Sequence, residues 1–266
     1  MELLGERIRL ARLLNKESGK LLGITLDHAP ARGVLTGLMD IRATLAKVVA
    51  GGPDAVTMHK GIAEECLAEH AGKVALILKC STFSPYHFCY DIPVTQVDEA
   101  VRLGADAVSF GVIVGSEHQA EQVRNLGAFA REAKMAGMPL VAHIYPRGEL
   151  IPKDEQTKWE NVAYCVRLGA ELGVDIIKTN YTGDPDSFAK VVKNCPTRVV
   201  IAGGVKAKNE AEFLKMTKDA MDAGAQGIAF GRFVWDHKNV VGLMNALKII
   251  IHKNGSVEAA LQALGE

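Results

Sequence analysis

A short phrase that recurs four times along the chain constrains the fold more than any other feature. In each copy a glycine follows a helix-like segment and opens a short apolar run. The copies are GGPDAVTMH from Gly51, GADAVSFGV from Gly104, GVDIIKTN from Gly173 and GAQGIAFGR from Gly224. Such a phrase is typical of a helix that ends on glycine, turns tightly and enters a buried strand. Parallel strands that are covered on both faces are continuously apolar, so each copy predicts a helix-to-strand junction.

Four further apolar runs lie between these copies and bring the number of predicted strands to eight. They are LLGITLD up to Asp27, VALILKC up to about Lys79, MPLVAHIYPRG up to about Tyr145, and TRVVIAGG up to Gly203-Gly204. Eight strands that alternate with helical segments in 266 residues predict an α/β fold, a single (β/α)8 TIM barrel over 1–266. A doubly wound open sheet is the alternative, and it is less favoured because no GxGxxG follows the first strand.

Three segments fall outside the strand pattern. The leading MELLGERIRLARLL has interleaved charges and predicts an amphipathic helix, an N-terminal extension of the barrel. The segments 81–95 and 148–158 are predicted to be long loops. Both follow strands, so we expect them on the face of the barrel that carries active sites.

Composition excludes several classes of function. Lys+Arg and Asp+Glu both number 31, which gives no bulk charge to attract nucleic acid or an anionic membrane. The five cysteines are scattered and form no CxxC pair, which favours buried thiols in a reducing compartment over disulfides or zinc. There is no signal-peptide pattern and no run of about 18 apolar residues. We therefore expect a cytoplasmic protein without membrane or nucleic-acid partners.

Lysines stand at the ends of three predicted strands, where barrels carry their chemistry. Lys178 follows Ile176 and Ile177 in DIIKTNYTGD, and the two isoleucines are expected to form an apolar wall that keeps its amine partly neutral. A neutral amine can attack a ketone to form a Schiff base. Lys60 and Lys79, at the ends of the second and third strands, remain rival candidates.

The remaining strand ends suggest a phosphorylated substrate. Gly203-Gly204 and Gly231-Arg232 follow strands seven and eight, where this fold commonly binds phosphate, although glycines that serve only tight turns are the alternative. Asp27 and Tyr145 are candidate proton carriers. Their alternatives are a turn cap and a half-buried tyrosine.

Taken in order, these residues resemble those of the DhnA-type class I aldolases. The similar segments are DH at 27–28, HKGI at 59–62, YPRG at 145–148, IIKTNYTGD at 176–184, AGG at 202–204 and GR at 231–232. The resemblance covers nearly the whole chain, and the family includes archaeal-type class I fructose-bisphosphate aldolase and 2-amino-3,7-dideoxy-D-threo-hept-6-ulosonate synthase. Three positions depart from the family: Ala29 and Val205 replace a usual glycine and proline, and His143 replaces an aromatic residue of the bisphosphate aldolases.

The resemblance implies roles for residues and partners. It implies that Lys178 forms the imine with no other cofactor, and that Asp27 and Tyr145 carry the acid and base steps. The residues implied to bind the phosphorylated substrate are His28, Ala29, Pro30, Ala31, Pro146, Arg147, Gly203, Gly204, Gly231 and Arg232. It further implies a phosphorylated ketose and an aldehyde as substrates, a homo-oligomer that in this family is often a decamer, and a place in aromatic amino acid biosynthesis or in glycolysis and gluconeogenesis.

Three other functions remain as alternatives. A metal-dependent sugar-phosphate aldolase or isomerase needs clustered ligands, but the eight histidines are dispersed and form no HxH or HExxH pair. A related thiolase of phosphorylated autoinducer-2 shares the lysine but lacks YPRG. A non-catalytic sugar-phosphate-binding barrel is the third alternative, and the presence of every proposed catalytic group argues against it.

Overall fold

The computed structural model describes residues 3–203 and 207–265 as a barrel surrounded by helices. Its strands are β1 Leu21–Thr25, β2 Ala55–Met58, β3 Ala75–Lys79, β4 Ser81–Ser84, β5 His87–Pro93, β6 Ala107–Ile113, β7 Leu140–Tyr145, β8 Ile176–Asn180, β9 Arg198–Ala202 and β10 Gly227–Phe230. Its helices are α1 Leu4–Leu13, α2 His28–Arg32, α3 Ile41–Ala50, α4 Lys60–Cys66, α5 Val97–Arg102, α6 Gln119–Met135, α7 Trp159–Glu171, α8 Pro185–Lys193, α9 Glu210–Asp222, α10 Arg232–Trp235, α11 Val240–Ile251 and α12 Val257–Gly265. Short 3-10 turns occupy Thr36–Leu38, Ala68–His70 and Lys153–Glu155.

Eight parallel strands close into a barrel in the order β1, β2, β3, β6, β7, β8, β9 and β10, with β10 pairing back to β1. These are the eight strands that the apolar runs predict, so the predicted (β/α)8 barrel is confirmed and the open doubly wound sheet is wrong. Nearly every barrel-strand residue is buried, because side chains fill the interior on one face and helices cover the other.

The recurring phrase marks helix ends as predicted. Its glycines take left-handed backbone conformations, which residues with a Cβ rarely adopt: Gly52 (φ 64°), Gly104 (φ 72°), Gly173 (φ 81°) and Gly224 (φ 102°). The chain therefore reverses direction at each of these points and enters the next strand.

The aspartate that follows this glycine in three of the copies has a structural role of its own. The carboxylates of Asp54, Asp106 and Asp175 each accept a backbone N–H bond from the neighbouring strand, at 2.6, 3.1 and 2.8 Å respectively. The donors are Leu22, Leu76 and Leu140. The phrase thus satisfies backbone donors at the amino ends of adjacent strands, a role that sequence patterning alone does not indicate.

Helix α1 closes the amino-terminal end of the barrel, as the predicted N-terminal extension. Leu10 and Leu13 pack into a cluster with the inward side chains of Ile77, Ile176 and Val200. Leu13 is fully buried. Access to the barrel interior is therefore from the opposite end, where the strands terminate.

The prediction of a long loop over 81–95 is wrong. Most of this segment forms a β-hairpin. Strands β4 and β5 pair antiparallel, with Thr82 opposite Ile92 and Ser84 opposite His87. Along β5 the side chains of Cys89 and Asp91 are buried while those on either side are more exposed. The period of two was hidden in the sequence because its inward positions are a thiol and a carboxylate rather than aliphatic residues.

A single glutamine fixes this hairpin to the barrel. The buried Gln122 Oε1 accepts N–H bonds from Asp91 (3.3 Å) and from Ile113 at the end of β6 (3.0 Å). Its Nε2 donates to the carbonyl of Cys89 at 3.0 Å. One side chain of α6 therefore joins the hairpin backbone to a barrel strand.

The segment 148–158 contains only the short turn Lys153–Glu155 and otherwise stays irregular, as predicted. Of the helices within residues 3–203 and 207–265, none is both long enough and apolar enough to cross a membrane.

Candidate functional site

A pocket of about 170 Å³ opens where the barrel strands end. Nine of the predicted site residues line it: Asp27, His28, Ala31, Tyr145, Arg147, Lys178, Gly203, Gly231 and Arg232. They come from loops that are distant in sequence, and barrel closure brings them to one mouth. The strand ends identified in the sequence therefore predict most of the site residues that line this pocket.

Four predicted site residues are not part of the described pocket wall. Ala29 and Pro30 lie on the exposed side of the short helix α2. Pro146 is buried but does not line the pocket. Gly204 lies outside the described residues, as does Val205.

Lys178 lies on β8, the sixth strand of the barrel, and is 7% exposed. Its neighbours at the same level are His143 on β7 and Val200 on β9. The pKa of Lys178 is lowered to about 8, mainly by burial, with Asp27 opposing the shift and the nearby cations Lys79 and Arg147 adding to it. An amine with this pKa is partly neutral near pH 7, as a nucleophile requires.

The predicted wall of two isoleucines is wrong for one of them. Side chains of a strand alternate between its faces, so Ile176 and Lys178 point inward while Ile177 points outward. Ile176 belongs to the inner cluster of the barrel, whereas Ile177 packs against Gly169 of α7 in the outer core. Ile176 therefore contributes to the apolar interior on the side of Lys178, and Ile177 stabilises the packing of a helix.

The two rival lysines differ in environment. The Lys60 side chain is 44% exposed and pairs with Glu99 at 2.5 Å, and Lys60 does not line the pocket. Lys79 does line it, but its Nζ donates to Ser81 Oγ at 2.8 Å and stands 4.0 Å from Asp91 Oδ2. Lys178, in contrast, donates no hydrogen bond to any of the residues that the structure describes, which leaves its amine available.

Asp27 and Tyr145 hold opposite protonation states beside this amine. Burial alone would raise the pKa of Asp27, but it lies below its usual value because of His28, which is protonated in the acid range where Asp27 titrates, and because of the cations Lys178 and Lys79. Burial raises the pKa of the Tyr145 hydroxyl, which therefore keeps its proton at neutral pH. The pocket thus contains an ionised proton acceptor and a protonated donor.

Two histidines in the pocket are neutral at neutral pH. Burial lowers the pKa of His28 to about 4 against the opposing charge of Asp27, whose Oδ1 is 3.8 Å from His28 Nδ1. Burial holds the pKa of His143 well below its ordinary value, and Lys178 and Lys79 add to this shift. Neither imidazole therefore adds positive charge beside the amine.

The glycines at the ends of β9 and β10 are required by close packing. A Cβ on Gly231 would stand 2.5 Å from His28 Cε1, and one on Gly203 would stand 3.0 Å from the Phe230 ring. Arg232 follows at the start of α10 and also lines the pocket. On this side of the mouth, tightly packed backbone without side chains at Gly203 and Gly231 therefore lies next to the positive charge of Arg232.

The hairpin supplies pocket residues that sequence reasoning missed. Phe83 and Asp91 line the pocket, and the Arg147 guanidinium carbon lies 4.4 Å from the centre of the Phe83 ring. Arg32 approaches the same ring at 5.8 Å. The sequence predicted only that this segment lies on the active face. Nothing in its amino-acid sequence indicated that Phe83 and Asp91 in particular would line the pocket.

The sequence predicts buried thiols for most of the cysteines, and all five are free and buried: Cys66, Cys80, Cys89, Cys165 and Cys195. Across residues 3–203 and 207–265, no group of three or more His, Cys, Asp or Glu side chains is arranged to hold a metal ion.

Similarity to known proteins shows which family this chain belongs to. The model of the DeoC/LacD family of aldolases matches residues 22–237, which include seven barrel strands in full and all of β1 except Leu21. The chain belongs to the DeoC/LacD family of aldolases. It is therefore an enzyme of the aldolase class, and the pocket at the strand ends is its candidate active site.

Members of this family with described activities are similar over almost the whole chain. The 2-amino-3,7-dideoxy-D-threo-hept-6-ulosonate synthase of Halobacterium salinarum is 38% identical over 98% of this chain and 97% of its own length. A solved archaeal fructose-1,6-bisphosphate aldolase, with its catalytic lysine covalently bound to a carbinolamine intermediate, is 32% identical with a TM-score of 0.84. That match covers 93% of this chain and 99% of the aldolase. A solved Schiff-base-forming fructose-1,6-bisphosphate aldolase matches equally well, with 32% identity, a TM-score of 0.84 and coverage of 92% and 99%.

Proposed function

We propose that this enzyme is a class I aldolase or transaldolase that makes or breaks a carbon–carbon bond in a ketose phosphate through an imine on Lys178. The observation that carries the proposal is the buried amine of Lys178, with its pKa lowered to about 8, beside an ionised Asp27 and a protonated Tyr145. None of the proposed steps requires a cofactor.

The proposed reaction begins at the neutral amine. The lone pair of Lys178 Nζ attacks the ketone carbon, the ketone oxygen takes a proton, and the nitrogen gives one up, which yields a neutral carbinolamine. That hydroxyl then leaves as water with a second proton, and a protonated imine remains. Tyr145 supplies protons and Asp27 accepts them, in keeping with their protonation states.

The protonated imine then acts as an electron sink. In cleavage, a base removes the proton of the substrate hydroxyl, an aldehyde departs, and the bonding electron pair moves to the imine to give an enamine. In condensation the enamine carbon attacks the aldehyde, and the aldehyde oxygen takes the proton. After cleavage the enamine carbon takes a proton, which restores the imine. In both directions water finally adds to the imine and releases the product from Lys178.

The phosphate of the ketose is proposed to bind at Gly203, Gly231 and Arg232. A guanidinium can hold phosphate through two parallel hydrogen bonds, and this part of a barrel commonly binds phosphate. His28, Ala31 and Arg147 are proposed to contact the substrate, because they line the same pocket. For Gly204, which lies outside the described residues, a role in phosphate binding is implied by the resemblance alone, while Ala29, Pro30 and Pro146 are proposed to act only by shaping their loops.

The candidate reactions are ranked by how similar this chain is to the relatives that carry them out. A hept-6-ulosonate-type condensation onto aspartate semialdehyde is the first candidate, because the synthase of Halobacterium salinarum is 38% identical over 98% of this chain. Cleavage of fructose 1,6-bisphosphate is the second, supported by the solved aldolases at 32% identity.

A substrate panel tests the proposal. Wild-type enzyme in chelator is assayed for fructose 1,6-bisphosphate cleavage and for condensation of ketose phosphates with aspartate semialdehyde. We expect turnover in at least one assay, and a loss of about a thousandfold or more in Lys178→Met. Lys193→Met on the exposed side of α8 is the matched control and should retain activity. Full activity in a folded Lys178→Met protein, or activity that only added zinc restores, would contradict an imine on Lys178.

A further inference from the structure

The barrel mouth has a second polar region, opposite the proposed phosphate site. In the ring of eight strands β3 stands four places from β9, so the end of β3 faces the end of β9 across the pocket. The hairpin of β4 and β5 follows β3 directly, and it places Asp91 in the pocket wall beside Lys79.

This geometry gives the substrate a direction. A ketose phosphate held at the proposed site on β9 and β10, with its carbonyl at Lys178 on β8, can extend its reacting carbon toward the β3 side of the mouth, where Lys79 and Asp91 line the pocket. The aldehyde that is added or released therefore lies near Lys79, Asp91 and the hairpin.

Lys79 and Asp91 are held rigidly and out of solvent. Their side chains are 6% and 4% exposed, and Lys79 Nζ stands 4.0 Å from Asp91 Oδ2, too far for a direct hydrogen bond. Ser81 fixes the lysine, because its Oγ accepts both from Lys79 Nζ at 2.8 Å and from the Gly111 N–H at 2.7 Å. Gln122 fixes the backbone of Asp91.

One oxygen of this carboxylate has no partner. Asp91 Oδ1 is buried and accepts no hydrogen bond from any residue in the described part of the chain. A buried carboxylate oxygen without a donor is unfavourable, so the site is incomplete until a donor reaches it. The oxygen belongs to a side chain of the pocket wall, where a ligand can supply that donor.

We propose that Asp91, with Lys79 beside it, forms the subsite for the acceptor aldehyde, with Asp91 Oδ1 accepting a hydrogen bond from a hydroxyl or ammonium group of that aldehyde. The inference rests on the proposed function, because it assigns the second substrate of the same reaction. A site that is built to hydrogen-bond a substrate group rejects analogues that lack it.

Two matched pairs of aldehydes test the subsite and separate the two sources of the donor. Glyceraldehyde 3-phosphate is compared with 3-phosphonooxypropanal, which lacks only the hydroxyl. Aspartate semialdehyde is compared with succinate semialdehyde, which lacks only the ammonium group. Each aldehyde is condensed with dihydroxyacetone phosphate by the wild-type enzyme and by Asp91→Asn.

We expect the wild-type enzyme to favour the donor-bearing member of one pair by about tenfold or more in kcat/KM. In Asp91→Asn that ratio should fall below about threefold, mainly through KM for the aldehyde. Preference within the glyceraldehyde pair identifies a hydroxyl, and preference within the semialdehyde pair identifies an ammonium group. Asp154→Asn, the same change on the exposed loop of the active face, is the control and should keep the wild-type ratio.

The outcomes separate this subsite from the reaction itself. If borohydride traps dihydroxyacetone phosphate on Lys178 of the wild-type enzyme but neither pair is discriminated, the subsite is wrong and the imine stands. A wild-type ratio that persists in Asp91→Asn has the same meaning. If no adduct forms on Lys178, the proposed function falls and the subsite falls with it.

Discussion

Lys178 combines a buried position with a nearby carboxylate, and the balance between these two determines how much of its amine is neutral. Burial is the largest influence on its pKa, and Lys79 and Arg147 act in the same direction. Asp27 stabilises the charged form and limits the shift. With a pKa of about 8, roughly a tenth of the amine is neutral at pH 7, compared with about one part in a few thousand for an ordinary lysine.

This balance predicts the pH dependence of imine formation. The lowered pKa means that the neutral amine appears at lower pH than in a free lysine. We therefore expect the rate of borohydride trapping at saturating dihydroxyacetone phosphate to rise about tenfold per pH unit below pH 8 and to level off above it. In Asp27→Asn the midpoint should move to lower pH, because an anion that favours the charged amine is removed. A wild-type midpoint near 10.4, the usual lysine value, would contradict a buried nucleophile.

The hairpin is the element that gives this barrel mouth its particular shape. Asp91 lies directly against the backbone of Gly111 in β6, where a Cβ would stand 1.9 Å from its Oδ2 and 2.4 Å from its Cγ. Because barrel strands are packed on both faces, the hairpin rather than the strand must move if this space is filled. Gly111 therefore sets how closely Asp91 approaches the pocket.

Gly111→Ala should separate the hairpin from the barrel. We expect a loss of about 1–3 kcal/mol in the free energy of unfolding, measured in urea, because the added methyl overlaps a buried carboxylate. Gly127→Ala on α6 is the matched control. Nothing lies within 4 Å of its added Cβ, and the helix should gain up to about 1 kcal/mol. Equal stability of the two variants would show that Asp91 does not occupy this position.

The elements of the barrel differ in how far the sequence predicts them. All eight barrel strands follow from apolar runs and glycine turns, and the ends of those strands point to Asp27, Tyr145 and Lys178. The hairpin does not follow, because its inward residues Cys89 and Asp91 form no aliphatic pattern. Its attachment also depends on Gln122, a contact about 31 residues away along the chain that local sequence cannot reveal.

Protonation states and side-chain directions likewise could not be predicted from the sequence, because they depend on three-dimensional positions. The sequence placed Ile176 and Ile177 together beside Lys178, but strand alternation sends them to opposite faces of β8. The sequence also gave no reason to pair Lys79 with Asp91. A partner for a buried charge can come from any element of the barrel mouth, so it becomes visible only once the barrel is closed.

At the scale of the whole molecule, the outer face of the hairpin carries exposed aromatic side chains. Tyr86 is 89% exposed and Phe88 is 57% exposed. The resemblance implies a homo-oligomer, and we propose that these neighbouring exposed apolar groups take part in that association. Light scattering should give a mass several times the 28.6 kDa of one chain. A mass of one chain at micromolar concentration would contradict it.

The central claim is that Lys178 carries the substrate as an imine. The direct measurement is mass spectrometry of peptides after incubation with dihydroxyacetone phosphate and borohydride reduction. We predict that the reduced adduct appears on the peptide that contains Lys178, and that Lys178→Met shows no adduct while Lys79→Met still carries it on Lys178. An adduct on Lys79 or Lys60 in the wild-type enzyme, or an active enzyme with no modified lysine, would contradict the account.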